Sequence, residues 1–189
     1  AFVGTSCQIK SVRRMQTLGL VPSDAIHICR GLFCSGNFSF GDEQRRKLAE
    51  FGQFTWENVR KVNIKENLTV HLKRDGVRSI PLENLDFMRR HACRYCPDYS
   101  AEFADVSFGG IGAEEGWTTV ITRSPLGRAA FADARGAGKL EEYSLKANPK
   151  YASQALAKVK SWSAKKRKAA QLSRKTLGAK GVQIKSGAA

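Results

Sequence analysis

Acid is what this sequence first runs short of. All 17 Asp and Glu residues lie at or before Glu142, and from Tyr143 onward 12 Lys and Arg stand unopposed. The body carries 20 basic against 17 acidic residues, so the formal net charge of +15 shrinks to +3 there. Nucleic acid is therefore not expected as a partner of the body. The basic tail suits RNA, an anionic membrane surface, an acidic partner protein or plain solvation. No apolar run approaches the roughly 20 residues needed to cross a bilayer, and no charged-then-apolar signal segment opens the chain. A reducing, cytoplasmic setting is expected, with peripheral membrane association through the tail. The chain also starts without methionine: Ala1-Phe2-Val3-Gly4 enters directly on a strand pattern, so a segment upstream is expected.

Other absences narrow the chemistry. Five cysteines are an odd number and too few for a disulfide scaffold, which leaves ligation or catalysis as their use. His27, His71 and His91 show no metal-like grouping, and no Ser-His-Asp arrangement or spaced carboxylate pair points to hydrolysis. Neither the dinucleotide nor the Walker spacing occurs. With 42% hydrophobic residues the chain can still bury a real core.

What is present reads as α/β: a mixed sheet flanked by helices, a small antiparallel β unit and a long basic C-terminal helix. Phe2-Val3-Gly4 ends a strand, and Ile9, Val12, Met15 and Leu18 follow at helical spacing. Residues 25–34 read as a second buried strand. Asp42 caps a helix through Phe51. Val59–Ile64, Leu68–Leu72 and Val77–Ile80 form the β unit, the last two joined by a turn whose Asp75-Gly76 pair signals a hairpin. Leu82–His91 reads as a helix, Phe103–Phe108 and Trp117–Arg123 as strands, and Leu126–Arg135 as a short helix. A basic helix from Tyr151 is expected to fray after Leu172. The charge change divides the chain into a domain over residues 1–142 and a tail over residues 143–189.

Two constellations carry chemistry. Cys93-Arg94-Tyr95-Cys96-Pro97 is a thiol pair two residues apart with a proline behind it. Cys7, at a strand-to-helix turn, and Cys34, at a strand end, are placed to complete a set of four thiolates, with Cys29 the spare on the opposite face. Such a set suits a [4Fe-4S] cluster; spacing alone leaves zinc, a redox pair and inert buried thiols open. The second constellation is Gly109-Gly110-Ile111-Gly112 followed by Gly116-Trp117-Thr118-Thr119, lying between two strands. Glycines there let backbone approach a flat or anionic ligand and Trp117 can cover a ring, although an ordinary turn has the same pattern.

Val3-Gly4-Thr5-Ser6-Cys7-Gln8-Ile9, Gly31-Leu32-Phe33-Cys34, Cys93-Arg94-Tyr95-Cys96-Pro97-Asp98 and Ala104–Gly112 through Gly116–Val120, in that order, resemble the beta subunits of coenzyme F420 hydrogenases and dehydrogenases. The resemblance spans roughly Ala1 to Gly138. It departs from the family pattern at Ser6, where proline is usual, and at Ser35-Gly36, where a bulkier pair is. It implies an electron-transfer subunit of a coenzyme F420-dependent oxidoreductase, passing electrons between reduced deazaflavin, FAD and a [4Fe-4S] cluster to a partner subunit of an archaeal hydrogenase, dehydrogenase or reductase complex. By that resemblance Cys7, Cys34, Cys93 and Cys96 fall on the cluster-ligand motifs. Gly4, Thr5, Gly109, Gly110, Gly112, Trp117, Thr118 and Thr119 fall in the flavin neighbourhood. Arg89, Arg90 and Arg94 would then either flank a negatively charged cluster or form a solvated face. The rival reading is a zinc-stabilised nucleic-acid-binding protein with a basic tail.

Overall fold

The computed structural model describes residues 1–64, 67–144 and 148–179. In chain order its elements are β1 (Phe2–Thr5), α1 (Ser6–Thr17), β2 (Cys29–Leu32), α2 (Asp42–Gly52), β3 (Val59–Ile64), β4 (Asn67–Leu72), β5 (Val77–Pro81), β6 (Val106–Gly109), β7 (Thr119–Thr122), α3 (Pro125–Gly136) and α4 (Tyr151–Ala179). They fall into two compact units, Ala1–Ser35 with the chain from Tyr95 onward, and Gly36–Arg94. The chain passes between them twice, next to Cys34 and between Cys93 and Cys96.

The first unit is built on a four-stranded mixed sheet in the order β1-β2-β6-β7. β1, β2 and β6 run parallel, and β7 returns antiparallel to β6. Thr5 stops β1 and starts α1 in one step: its extended backbone is a helix N-cap, and its N–H donates to the Gln8 side chain at 2.8 Å. That bond satisfies a donor the first turn of a helix leaves orphaned. Ile9 and Val12 turn inward from α1 against Cys29, Ala101 and Ala104. The small side chains matter there, because a Cβ on Gly31 would collide with those of Ala101 and Ala104.

The second unit stacks α2 on the β3-β4-β5 meander, with Leu48, Phe54, Leu68, Val70, Leu72, Ile80, Leu85 and Met88 as its core. Gly76 holds the hairpin turn at φ +79°, a conformation that glycine adopts without a Cβ penalty. This small antiparallel unit and the mixed sheet with its helices make the fold α/β, as the sequence implies.

Four features differ from expectation. The N-cap of α2 is Gly41 and not Asp42, which falls in the first turn, where a carboxylate faces the positive end of the helix. The strand read over residues 25–34 is ordered only at Cys29–Leu32, because the Gln16 side chain on α1 donates to the carbonyls of Ser23 and Ile26 and takes them out of any ladder. The helix read over Leu82–His91 is instead two 3-10 segments, Leu82–Met88 and His91–Tyr95. Leu82, Leu85 and Met88 recur every third residue, a spacing that a three-residue turn satisfies as well as an α-turn does. The basic helix does not end near Leu172 but runs to Ala179; the expected frayed end beyond it lies outside the described residues. Ala155, Val159 and Ala170 on α4 are buried, so the helix is seated along one face, and among the described residues no helix is long and apolar enough to cross a membrane.

Candidate functional site

Because β1, β2 and β6 are parallel, their carboxyl ends lie along one edge of the sheet, where open α/β sheets collect ligands. Three of the segments singled out from the sequence leave from that edge. Cys7 is in the first turn of α1, directly after β1, exposed, with its Sγ 3.4 Å from the Thr5 hydroxyl. Cys34 follows β2 by two residues, and Gly110 follows β6 by one.

The segment carrying Cys96 is tied to this edge by its backbone. Cys34 donates its N–H to the Tyr99 carbonyl at 2.8 Å, and Ala101 donates to the Ser6 hydroxyl at 3.2 Å. Ser6 thus supplies an acceptor that proline could not. The buried Asp98 carboxylate accepts the Glu102 N–H, and Arg123 donates to the carbonyl and hydroxyl of Ser100. Ala101 itself is held at φ +54°, a strained conformation for a non-glycine residue that only so over-determined a loop sustains. Burial pushes the Asp98 carboxyl above its ordinary range. Burial, and then the charge of a Cys34 thiolate, push the Tyr99 phenol to about 12. The Cys96 Sγ lies 3.7 Å from the Asp98 carbonyl.

Cys93 belongs to the other unit. Its Sγ accepts the N–H of Asn37 at 3.3 Å, and a Cβ on Gly36 would meet the Cys93 Cβ at 3.9 Å, an ordinary contact. Of the three arginines, Arg94 and Arg89 are paired with Asp86, at 2.7 and 3.4 Å. Part of their charge is offset there. Cys29 is fully buried in the core of the first unit, and burial raises its thiol above the ordinary range. No cysteine is in a disulfide, and among the described residues no group of three or more His, Cys, Asp or Glu stands ready-made to hold a metal ion.

The glycine loop divides on inspection. A Cβ on Gly109 would overlap the Phe33 ring, and one on Gly112, at φ +87°, would come within 2.8 Å of the Ala155 backbone on α4. Packing accounts for both. Gly4 is likewise enclosed, between the Phe2 ring and Gln8, whereas nothing stands within 4 Å of where a Cβ on Gly110 or Gly116 would lie. The Thr119 hydroxyl donates to the Ile111 carbonyl at 2.8 Å and pins the loop to β7. Trp117 meets the Tyr143 ring edge-on at 5.2 Å, and Tyr143 stacks on Tyr151 at 4.4 Å. Trp117, Thr118 and Thr119 line a cavity of about 880 Å³ between β7, α3 and the start of α4, with Phe131, Tyr143 and Tyr151. Among the described residues, its charged lining side chains are Glu141 and Glu142.

Sequence reasoning missed Asp105. Its buried carboxylate accepts the Cys29 N–H at 2.8 Å, the Arg13 guanidinium at 2.7 Å and the Ser124 hydroxyl at 2.6 Å. Burial alone would raise this carboxyl, but the three donors outweigh it and hold it below the ordinary range. Asp105 joins α1, β2 and the N-cap of α3, so it fixes the frame from which the cysteine segments leave. The sequence signal was an acid embedded in an otherwise small and apolar run, Ala104–Phe108.

A family model for the C terminus of the coenzyme F420 hydrogenase/dehydrogenase beta subunit matches residues 1–148. The coenzyme F420 hydrogenase subunit beta of Methanococcus voltae is 32% identical over 143 residues, which are 74% of this chain and 50% of that protein. The F420-dependent formate dehydrogenase subunit beta of Methanocaldococcus jannaschii is 29% identical over 140 residues, 71% of this chain and 36% of that one. A chain of the F420-reducing [NiFe] hydrogenase complex from Methanosarcina barkeri superposes with a TM-score of 0.79 at 25% identity, covering 95% of this chain and 62% of that one. The chain thus spans half or less of the length of these two curated relatives. Ordered motifs, sheet topology and the match over residues 1–148 agree that this chain belongs to the family of coenzyme F420 hydrogenase/dehydrogenase beta subunits, in its C-terminal part.

Proposed function

We propose that this chain is the electron-transfer portion of a coenzyme F420-dependent oxidoreductase subunit, working between the deazaflavin and a one-electron partner subunit. The observation that carries the reading is the convergence of Cys7, Cys34 and the Gly110 loop on the carboxyl ends of the three parallel strands of one mixed sheet. The cofactors in this reading are FAD, which takes electrons in pairs and releases them singly, and a [4Fe-4S] cluster, which carries single electrons. Cys7, Cys34, Cys93 and Cys96 would hold the cluster. The donor chemistry fits: four thiols outside disulfides, none fully buried, and at Cys93 a backbone N–H aimed at sulfur of the kind that stabilises a thiolate ligand.

The aromatic cavity fits one end of a flavin better than the other. Its volume is within the range of about 300–1,000 Å³ typical of ligand sites, and its rings offer flat apolar walls. Glu141 and Glu142 repel a diphosphate. In this reading Trp117, Thr118 and Tyr143 border the ring system, and the diphosphate is held elsewhere, Gly110 offering uncovered backbone at the sheet edge. Lys158, Lys160, Lys165 and Lys168 face outward from α4 and supply a basic surface for the partner subunit or an anionic membrane.

The test is anaerobic. With FAD bound, the full-length polypeptide should oxidise reduced coenzyme F420 and pass the electrons to a one-electron dye; flavin binding without any reaction toward the deazaflavin overturns the proposal.

A further inference from the structure

Seen as a helical wheel, the inward stripe of α4 is Ala155, Val159, Trp162, Lys166 and Ala170. A lysine in that stripe needs a reason, since an ammonium is costly to desolvate unless its donors are satisfied. Lys166 is half-buried, and it donates to two main-chain carbonyls: that of Cys34, and that of Asp98 at 2.8 Å. One carbonyl belongs to a cysteine of the proposed ligand set, and the other lies two residues past another, Cys96. Above this pair Tyr99 meets Phe33 at 5.7 Å and Trp162 at 5.8 Å, so an aromatic stack seats the helix over the same two loops. Arg174, two turns further on, donates to the Tyr95 carbonyl at 2.9 Å, and Arg167 pairs with Glu102 at 2.6 Å. The family match ends at residue 148, before α4 begins.

We propose that Lys166 is a positioning residue: its ammonium clamps the Cys34 loop to the Cys96 loop and sets a fixed positive charge beside both. Two bonds to carbonyls of different loops fix their separation more firmly than the single Cys34–Tyr99 bond. A cation next to thiolate ligands also favours the state of a bound centre that carries the extra electron. Both acceptors are neutral carbonyls, so neither bond cancels the charge of the ammonium, while the Asp98 carboxylate interacts with it electrostatically.

This rests on the proposed function only for its second half, and the experiment separates the two. The full 189-residue chain, K166M, K166R and the exposed control K175M are compared in two ways. Hydrogen exchange on the metal-free protein reads the clamp: K166M should speed exchange of the Cys34 and Ala101 amides at least tenfold with little change elsewhere, K166R should restore most of the protection, and K175M should match the wild type. Midpoint potential after anaerobic iron-sulfide reconstitution reads the charge: K166M should move it negative and K166R should bring it back. Unchanged exchange in K166M overturns the clamp, and an unchanged potential in K166M overturns the electrostatic role. A wild-type chain that takes up no iron overturns the proposed cluster and with it the electrostatic role, while the exchange data still decide the clamp.

Discussion

Replacing Asp105 by alanine strands three donors at once: the Cys29 N–H inside the core, the Ser124 hydroxyl that caps α3, and the Arg13 guanidinium. A hydrogen bond to a charged group contributes about 1.5–3 kcal/mol, but bonds that share one acceptor do not add. The Arg13 side chain is 29% exposed and can recover water, whereas the Asp105 side chain is only 8% exposed. The loss should therefore match that of breaking one buried ion pair, about 3–5 kcal/mol. With a urea slope of about 2 kcal/mol per molar for a chain of this size, the midpoint should fall by about 1.5–2.5 M. Asp105→Asn keeps the shape and an acceptor for Cys29, so it should cost about half as much. Urea titrations followed by far-UV circular dichroism on the three proteins make the comparison. A loss below about 1 kcal/mol in the alanine variant would refute the reasoning, since a satisfied buried acceptor cannot leave that cheaply.

Acid should act through the same carboxylate. Its folded-state value lies below the ordinary one, so its contribution is complete above the unfolded value near 3.9 and fades as pH drops through the lower folded value; Asp105→Asn should flatten this part of the stability-pH curve, read by thermal melts from pH 6 down to 2. Gly112→Ala should cost about 2–4 kcal/mol, from a φ of +87° and a Cβ 2.8 Å from the Ala155 backbone, whereas Gly116→Ala, at φ +85° with open space around it, should cost about 1 kcal/mol; melting temperatures distinguish them. Cys93→Ser should abolish iron retention and Cys29→Ser should leave it unchanged, by iron analysis on anaerobically purified protein; equal losses would mean that the ligand set is wrong.

Where the chain was legible, local chemistry and long-range packing agree. The hairpin over β4 and β5 is set by Asp75-Gly76, and the start of α1 by Thr5 and Gln8, each within a few residues of what it controls. Cys7 and Cys34 could be placed at one sheet edge because two parallel strands end next to them. Illegible features depend on distant partners. Gln16 shortens β2 from another element, Phe33 accounts for Gly109, and Ala155 accounts for Gly112. The tail read as solvated or as a docking arm because its charges dominate its composition, yet the face that seats it consists of Ala155, Val159, Trp162 and Ala170 around one lysine. Sequence spacing shows such a stripe; it does not show that the lysine's acceptors lie 132 and 68 residues away.

Iron and acid-labile sulfide, counted per chain in anaerobically purified protein together with its electron paramagnetic resonance spectrum after reduction, test the central claim most directly. The account predicts about four of each and the signal of one reduced [4Fe-4S] centre, lost in Cys34→Ser and Cys96→Ser. A colourless protein carrying stoichiometric zinc, or one whose metal survives both substitutions, would contradict it.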